Sequence, residues 1–220
     1  MATITAQPLI DKAATILQDA TNTRWPAEEL LDWLNDGQRE VVLFKPDANP
    51  VSATVALVEG TKQSIPSEGL QLLDVIRNMA DTSPGLAVRL IGRRTLDEQL
   101  PDWHKSTPVS EAKHYLFDER DPRTFWVFPP SDGTGEAEIL YSAAPSDIAA
   151  NDTLGVDDTY ANALLDYILY RAYLKDADYA ANDQRASNQH QRFMQALGVL
   201  DKKETRGNPY VRNKAPVVEG

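Results

Sequence analysis

PAEELLDWLNDGQREVVLFKP, residues 26–46, opens and closes on proline and carries apolar residues at helical spacing between. Pro26 suits a helix start because it lacks the amide that the first turn leaves unpaired. Glu28 and Glu29 follow where the helix dipole favours negative charge. Leu30, Leu34, Val41 and Phe44 recur on one face, with Trp33 widening the stripe. Gly37 falls on the same stripe, where the missing side chain lets another helix approach. Its counterpart lies far along the chain. In DDTYANALLDYILYRAYLKDA, residues 157–177, Tyr160, Leu164, Tyr167, Ile168, Arg171 and Leu174 share a face, and Leu165, Leu169 and Ala172 broaden it. Two such faces must bury each other, so Leu30, Leu34 and Phe44 are expected against Leu164, Ile168 and Leu174.

Outward from these segments, a shorter helix is expected over about 8–19, and a last one through Ala186, His190, Phe193 and Leu197 to a glycine cap at Gly198. Between the helical ends the period changes to two. Val51, Ala53, Val55 and Leu57 alternate with small polar residues, and Glu59-Gly60 offers a turn back into a partner strand at 61–65. Further strands are expected at 72–79, 87–91 and 136–141, a short helix at 96–100, and a hairpin pairing 114–117 with 125–128. The expected class is α+β: a helical bundle built from both ends of the chain, with an inserted antiparallel β domain and an extended C-terminal tail. The boundaries read as 1–48 with 152–198 for the discontinuous helical domain, 49–151 for the β-rich insert and 199–220 for the flexible tail.

The chain of 220 residues has no cysteine, which removes disulfides, thiolate metal sites and thiol nucleophiles. Its start, MATITAQPLIDKAATILQD, has Asp11 and Lys12 where a signal peptide needs an apolar block, and no apolar run reaches bilayer length. Net charge is −11, the wrong sign for a phosphate-binding surface. The charge is uneven: residues 199–220 hold five basic and three acidic residues, hence +2, leaving −13 for residues 1–198.

Candidate chemistry is sparse. The 3 histidines, His104, His114 and His190, fall on a loop, a strand and a helix without metal-ligand spacing. Asp118, Glu119 and Asp121 would supply carboxylates for glycoside hydrolysis, yet they sit in a turn, where aspartate is favoured for conformational reasons. Gly133-Thr134-Gly135 lacks the lysine of a phosphate loop, and no Gly-x-Ser-x-Gly elbow occurs. Arg89, Arg93 and Arg94 form a small basic group suited to ion pairing. No catalytic, cofactor or metal residue is assigned. Aromatics are the excess: Tyr115, Phe117, Phe125, Trp126 and Phe128 occupy both phases of one hairpin, which requires burial on both faces or a partner. Trp126, with Tyr170 and Tyr173 off the main helical stripe, is therefore a candidate subunit-interface residue.

Several segments resemble the head-to-tail adaptors of tailed phages typified by the phage SU10 adaptor: TRWPAEELLDWLNDGQREVV (23–42), GTKQSIP (60–66), LLDVIRNM (72–79), LPDWHKS (100–106), HYLFDERDPRTFWVFPP (114–130) and DDTYANALLDYILYRAYLKDADYA (157–180). They run in order over about residues 8–198 and are packing and turn motifs, with no reactive signature among them. The resemblance implies a non-enzymatic virion structural protein, assembled in the host cytoplasm and placed in the neck. It implies a homo-oligomeric ring, a dodecamer, joining the portal to tail or nozzle proteins and lining a channel through which DNA passes without specific binding. It also implies that the C-terminal segment orders on the portal, and the +2 charge of residues 199–220 makes Lys202, Lys203, Arg206, Tyr210 and Arg212 the expected contacts. The alternative from another class is a phage-associated glycan hydrolase or carbohydrate-binding module using the aromatic hairpin.

Overall fold

The computed structural model describes residues 2–80, 83–179 and 181–207, with residues 199–207 described by their backbone. Among them the elements run α1 (Ala6–Ile16), α2 (Ala27–Phe44), β1 (Pro50–Ala56), β2 (Gly60–Ser64), β3 (Gly69–Ala80), β4 (Ser83–Ala87), β5 (Arg89–Leu90), α3 (Arg93–Gln99), β6 (His114–Phe117), β7 (Thr124–Ser131), β8 (Glu136–Ala143), α4 (Ala161–Lys175) and α5 (Asn182–Gly207). The protein is α+β and divides into two compact units, one made from the chain's two ends (Met1–Lys45 and Pro145–Gly220) and one from Pro46–Ala144.

The helical unit packs α2 on α4, α4 on α5, and α1 on both α2 and α4. Leu30, Leu34, Val41, Leu164, Ile168 and Phe193 are buried at its centre. Each such side chain contributes about 1.5–3 kcal/mol relative to exposure. Gly37 is the point of close approach: a Cβ there would lie 2.9 Å from Cδ1 of Tyr167 and 3.3 Å from Cδ2 of Leu164. Phe44 and Leu174, expected at the same contact, are instead exposed. Both stand in the last turn of their helices and turn to the surface, Leu174 beside the Lys175–Glu29 pair that still joins α4 to α2 there. Another expectation shifts toward the end of the chain. The helix does not stop at Gly198 but continues to Gly207, through the helix-forming run Leu200-Asp201-Lys202-Lys203-Glu204.

Side chains fasten the joints of this unit. Asp19 accepts hydrogen bonds from the backbone of Thr23, Arg24 and Trp25, closing the α1–α2 turn, and these donors lower its pKa, Trp25 most of all. The Trp25 indole donates to the Ala172 carbonyl at 3.1 Å. Asp158 accepts from Thr3 and Ile4 and holds the chain's start. Asn35 and Gln38, buried on α2, hold the segment before α4. Asn35 exchanges two bonds with the Ile148 backbone, and Gln38 accepts from Gly155 N at 2.6 Å.

The second unit is a sandwich of two four-stranded sheets, ordered β1-β8-β3-β4 and β2-β7-β6-β5. All pairs are antiparallel except β5 with β6. Leu72, Val75 and Ile139 of one sheet and Tyr115, Phe125 and Val127 of the other share one core. First and last strands pair, so the insert closes on itself through β1 and β8.

The expected hairpin of β1 with β2 does not form. The two strands belong to different sheets, and the reason is local. Gln63, buried after the turn, donates to Val58 O and accepts from Val58 N, both at 2.8 Å, taking the backbone groups that a hairpin partner would use. The chain thus crosses from one sheet to the other while Leu57 and Ile65 stay in the core. The β6–β7 hairpin forms in the expected register, with Leu116 opposite Trp126.

Candidate docking surfaces

The aromatic hairpin is covered on both faces within its own unit. One phase, Tyr115, Phe125 and Val127, enters the sandwich core. The other, Leu116 with Trp126 and Phe128, packs under a cap made by Leu96 of α3 and Trp103. The Trp103 indole donates to Asp97 at 2.8 Å and its ring meets Phe128 edge-on, so the cap is anchored by polar and ring contacts together. Burial on both faces explains the double aromatic phase without a partner.

What the cap leaves open is a groove of about 450 Å³ along its rim. Trp126, half-buried, and Phe117 supply its apolar floor, while Arg93, Arg94, Asp97, Glu98 and Asp118 ring it. These charges are spoken for. Arg93 pairs with Asp97 and Arg94 with Glu98, each one helical turn apart. The Arg93 guanidinium also lies 5.9 Å from the Trp126 ring centre. Arg89, grouped with them in sequence, sits on β5 and lines a different cavity with Lys113 and His114.

The carboxylates considered for hydrolysis form a turn. Asp121 N donates to Asp118 O at 2.9 Å, and the Asp118 carboxylate takes Nε and Nη2 of Arg120 at 3.0 and 2.8 Å. The guanidinium and the Arg120 amide pull the Asp118 pKa down to about 2, so this group stays ionised near neutral pH and is unsuited to donating a proton.

The histidines do not converge. His104 shares a hydrogen bond with Thr61 and stacks on Trp103, His114 lies against Phe128, and His190 lies 4.8 Å from Tyr170. Burial, then Arg89 and Lys113, lower the His114 pKa. Among the described residues no group of three or more His, Asp or Glu is placed to hold a metal ion.

The two off-stripe tyrosines differ. Tyr173 is buried, with the Arg185 guanidinium 5.8 Å from its ring centre. Tyr170 is half-buried, edge-on to Tyr167, and offers part of its ring to the surface. Lys202, Lys203 and Arg206 fall on the backbone-described end of α5, so their side chains lie outside the description, and Tyr210 and Arg212 lie outside the described residues altogether.

Sequence reasoning passed over Asn35, Gln38 and Asn78. Asn78 is buried in β3, donates to Leu86 O and Ala112 O, and accepts from Ala112 N, joining three segments of the sandwich. For Asn35 and Gln38 a signal existed: both adjoin the apolar stripe of α2, where an amide side chain requires a buried partner.

No helix among the described residues is long and apolar enough to cross a membrane. No curated protein matches the chain. A family model described as "SU10 adaptor protein" matches residues 4–215, running through both compact units. The chain belongs to the SU10 adaptor protein family, a family of phage adaptors.

Proposed function

We propose that this phage adaptor works as a closed homo-oligomeric ring in the virion neck, joining the portal to tail or nozzle proteins and extending the DNA channel. The observation that carries the reading is the family match over residues 4–215, which includes helical and β units alike. Three physical features support it. The residues in the groove are engaged with one another, so the exposed chemistry is that of a surface and not of a reaction centre. The −13 carried by residues 1–198 suits a conduit wall that repels a polyanion. The +2 of residues 199–220 suits attachment to an acidic partner surface. A twelve-fold ring is the stoichiometry this reading adopts, with Trp126 and Tyr170 as rim contacts and Tyr173 supporting the face from within. The domain division adopted is a helical frame with an inserted β domain and a docking tail.

In this reading Lys202, Lys203, Arg206, Tyr210 and Arg212 meet the portal. Deleting residues 208–220 and replacing the three upstream cations by glutamine should spare the fold and remove stable portal attachment. Attachment by the intact chain should weaken steeply between low and high salt, because part of it is Coulombic. A pull-down on portal rings reads both effects. Wild-type attachment by the altered chain would move the contact to the globular body.

A further inference from the structure

The sandwich has four edge strands, and three of them are blunted. β2 carries Lys62 and a register shift. β4 carries Pro84 and a register shift, and β5 is two residues long with Arg89 on it. Charge, proline, irregularity and shortness are the usual devices that keep an edge from pairing. β1 has none of them along its length. Val51-Ser52-Ala53-Thr54-Val55-Ala56 is uncharged, rich in β-branched residues, and paired with β8 in an unbroken register, its one proline being Pro50 at the very start.

The phase of the ladder shows which groups are free. Leu57 N donates to Gly135 O, and Ala143 N donates to Asn49 O, so odd-numbered residues of this strand face β8. Even-numbered residues then turn their N–H and C=O groups away from it. β1 stands at the edge of its sheet, so the outward N–H groups of Ser52, Thr54 and Ala56 meet no neighbouring strand. On the inner face, Val51, Ala53 and Val55 lean on the sandwich core yet remain only partly buried. One more strand would complete both the ladder and that apolar row.

From this we infer that β1 is a docking edge, which takes an extended strand from a different polypeptide of the neck by β-augmentation. The inference rests on the adaptor reading. A second copy of this chain fits less well. Pairing of β1 with β1 is two-fold and closes as a dimer, which a larger ring cannot use. The opposite edge of the same sheet, β4, is blunted by Pro84. The incoming strand should place apolar residues at alternate positions, over the row of Val51, Ala53 and Val55. Its outward residues should be uncharged or basic, because Glu136 stands opposite Ala56 on that face, while Glu138, opposite Thr54, is already paired with Arg77. Main-chain bonds would give affinity and the alternation would give register.

Amide hydrogen exchange tests the edge directly, using the full-length chain alone, in rings of the chain alone, and bound to portal and tail complexes of its own virus. In the free chain, residues 51, 53 and 55 should exchange slowly and residues 52, 54 and 56 rapidly. In the partner complex the second set should slow by at least about tenfold. Thr54→Pro removes one outward N–H and leaves the β8 ladder intact, so the variant should fold and lose the added protection. Thr54→Lys, which keeps the backbone, should weaken the same binding to a basic strand if the proline variant folds poorly.

Rapid exchange at 52, 54 and 56 in a saturated complex would overturn the inference while leaving the adaptor reading in place. Protection already present in rings of the chain alone would assign the edge to a second copy and overturn the occupant proposed. Failure of the chain to join any portal or tail complex would instead remove the adaptor reading, and this inference with it.

Discussion

Two glycines in helices of the same unit make one chemical change run in opposite directions. Alanine is favoured over glycine in a helix interior by about 1 kcal/mol. At Gly198 of α5 an added Cβ meets nothing within 4 Å, so Gly198→Ala should stabilise by up to about 1 kcal/mol. At Gly37 of α2 the same Cβ would stand 2.9 Å from Tyr167 Cδ1 and 3.3 Å from Tyr167 Cγ. That ring cannot simply swing aside. It is buried, 5.2 Å from the Phe193 ring centre and 5.8 Å from that of Tyr170, and its hydroxyl accepts from Arg171 at 3.3 Å. Overpacking of this kind costs about 1–3 kcal/mol, which exceeds the propensity gain. Gly37→Ala should therefore destabilise by up to about 2 kcal/mol, some 1–3 kcal/mol apart from its twin. Urea unfolding with an unchanged slope reads both midpoints. If the two variants move the midpoint in the same direction, the close approach of α2 and α4 at Gly37 is refuted.

Leu34→Ala or Leu164→Ala, each at a fully buried position, should cost about 2–5 kcal/mol, and an unmoved denaturant midpoint for either would contradict the paired helical frame. Gln38→Ala leaves the Gly155 amide without its acceptor and should cost about 1–3 kcal/mol, with faster exchange at Gly155 as the local sign. The Asp118 carboxylate, held at about 2 by Arg120, has a folded pKa below its unfolded value of about 3.9. Its stabilisation is thus complete above about pH 4 and lost as pH falls through 2, so the stability gap between wild type and Asp118→Asn should close over that window. A gap that stays constant down to pH 2 would mean the Arg120 clamp is absent in solution.

The long elements were legible because each carries its own signal. Residues 26–46 announce α2 by proline boundaries, early glutamates and a 3.6-residue stripe, and the aromatic hairpin announces itself by two alternating runs around a polar turn. What stayed hidden was set by single side chains acting at a distance. Nothing in the run Val58-Glu59-Gly60 says that Gln63 will cap Val58 and send β2 into the other sheet. Gly198 looked like a cap, but the following residues are good helix formers and no left-handed turn is required there. Phe44 and Leu174 carry the right period and still stay exposed, since periodicity marks a face but not how far burial extends along it at the helix ends. As for the docking surfaces, the doubled aromatic phase pointed to covered faces, and the cover proved to be α3 and Trp103. The β1 edge was invisible in sequence, because an uncharged strand becomes an open edge only once its place in the sheet is known.

The most direct test of the adaptor account is cryo-EM of the purified chain mixed with portal rings of its own virus. The account predicts a closed ring of copies, coaxial with the portal, with the channel continuing through it. Copies that stay dispersed, or that bind singly and off the axis, would contradict it.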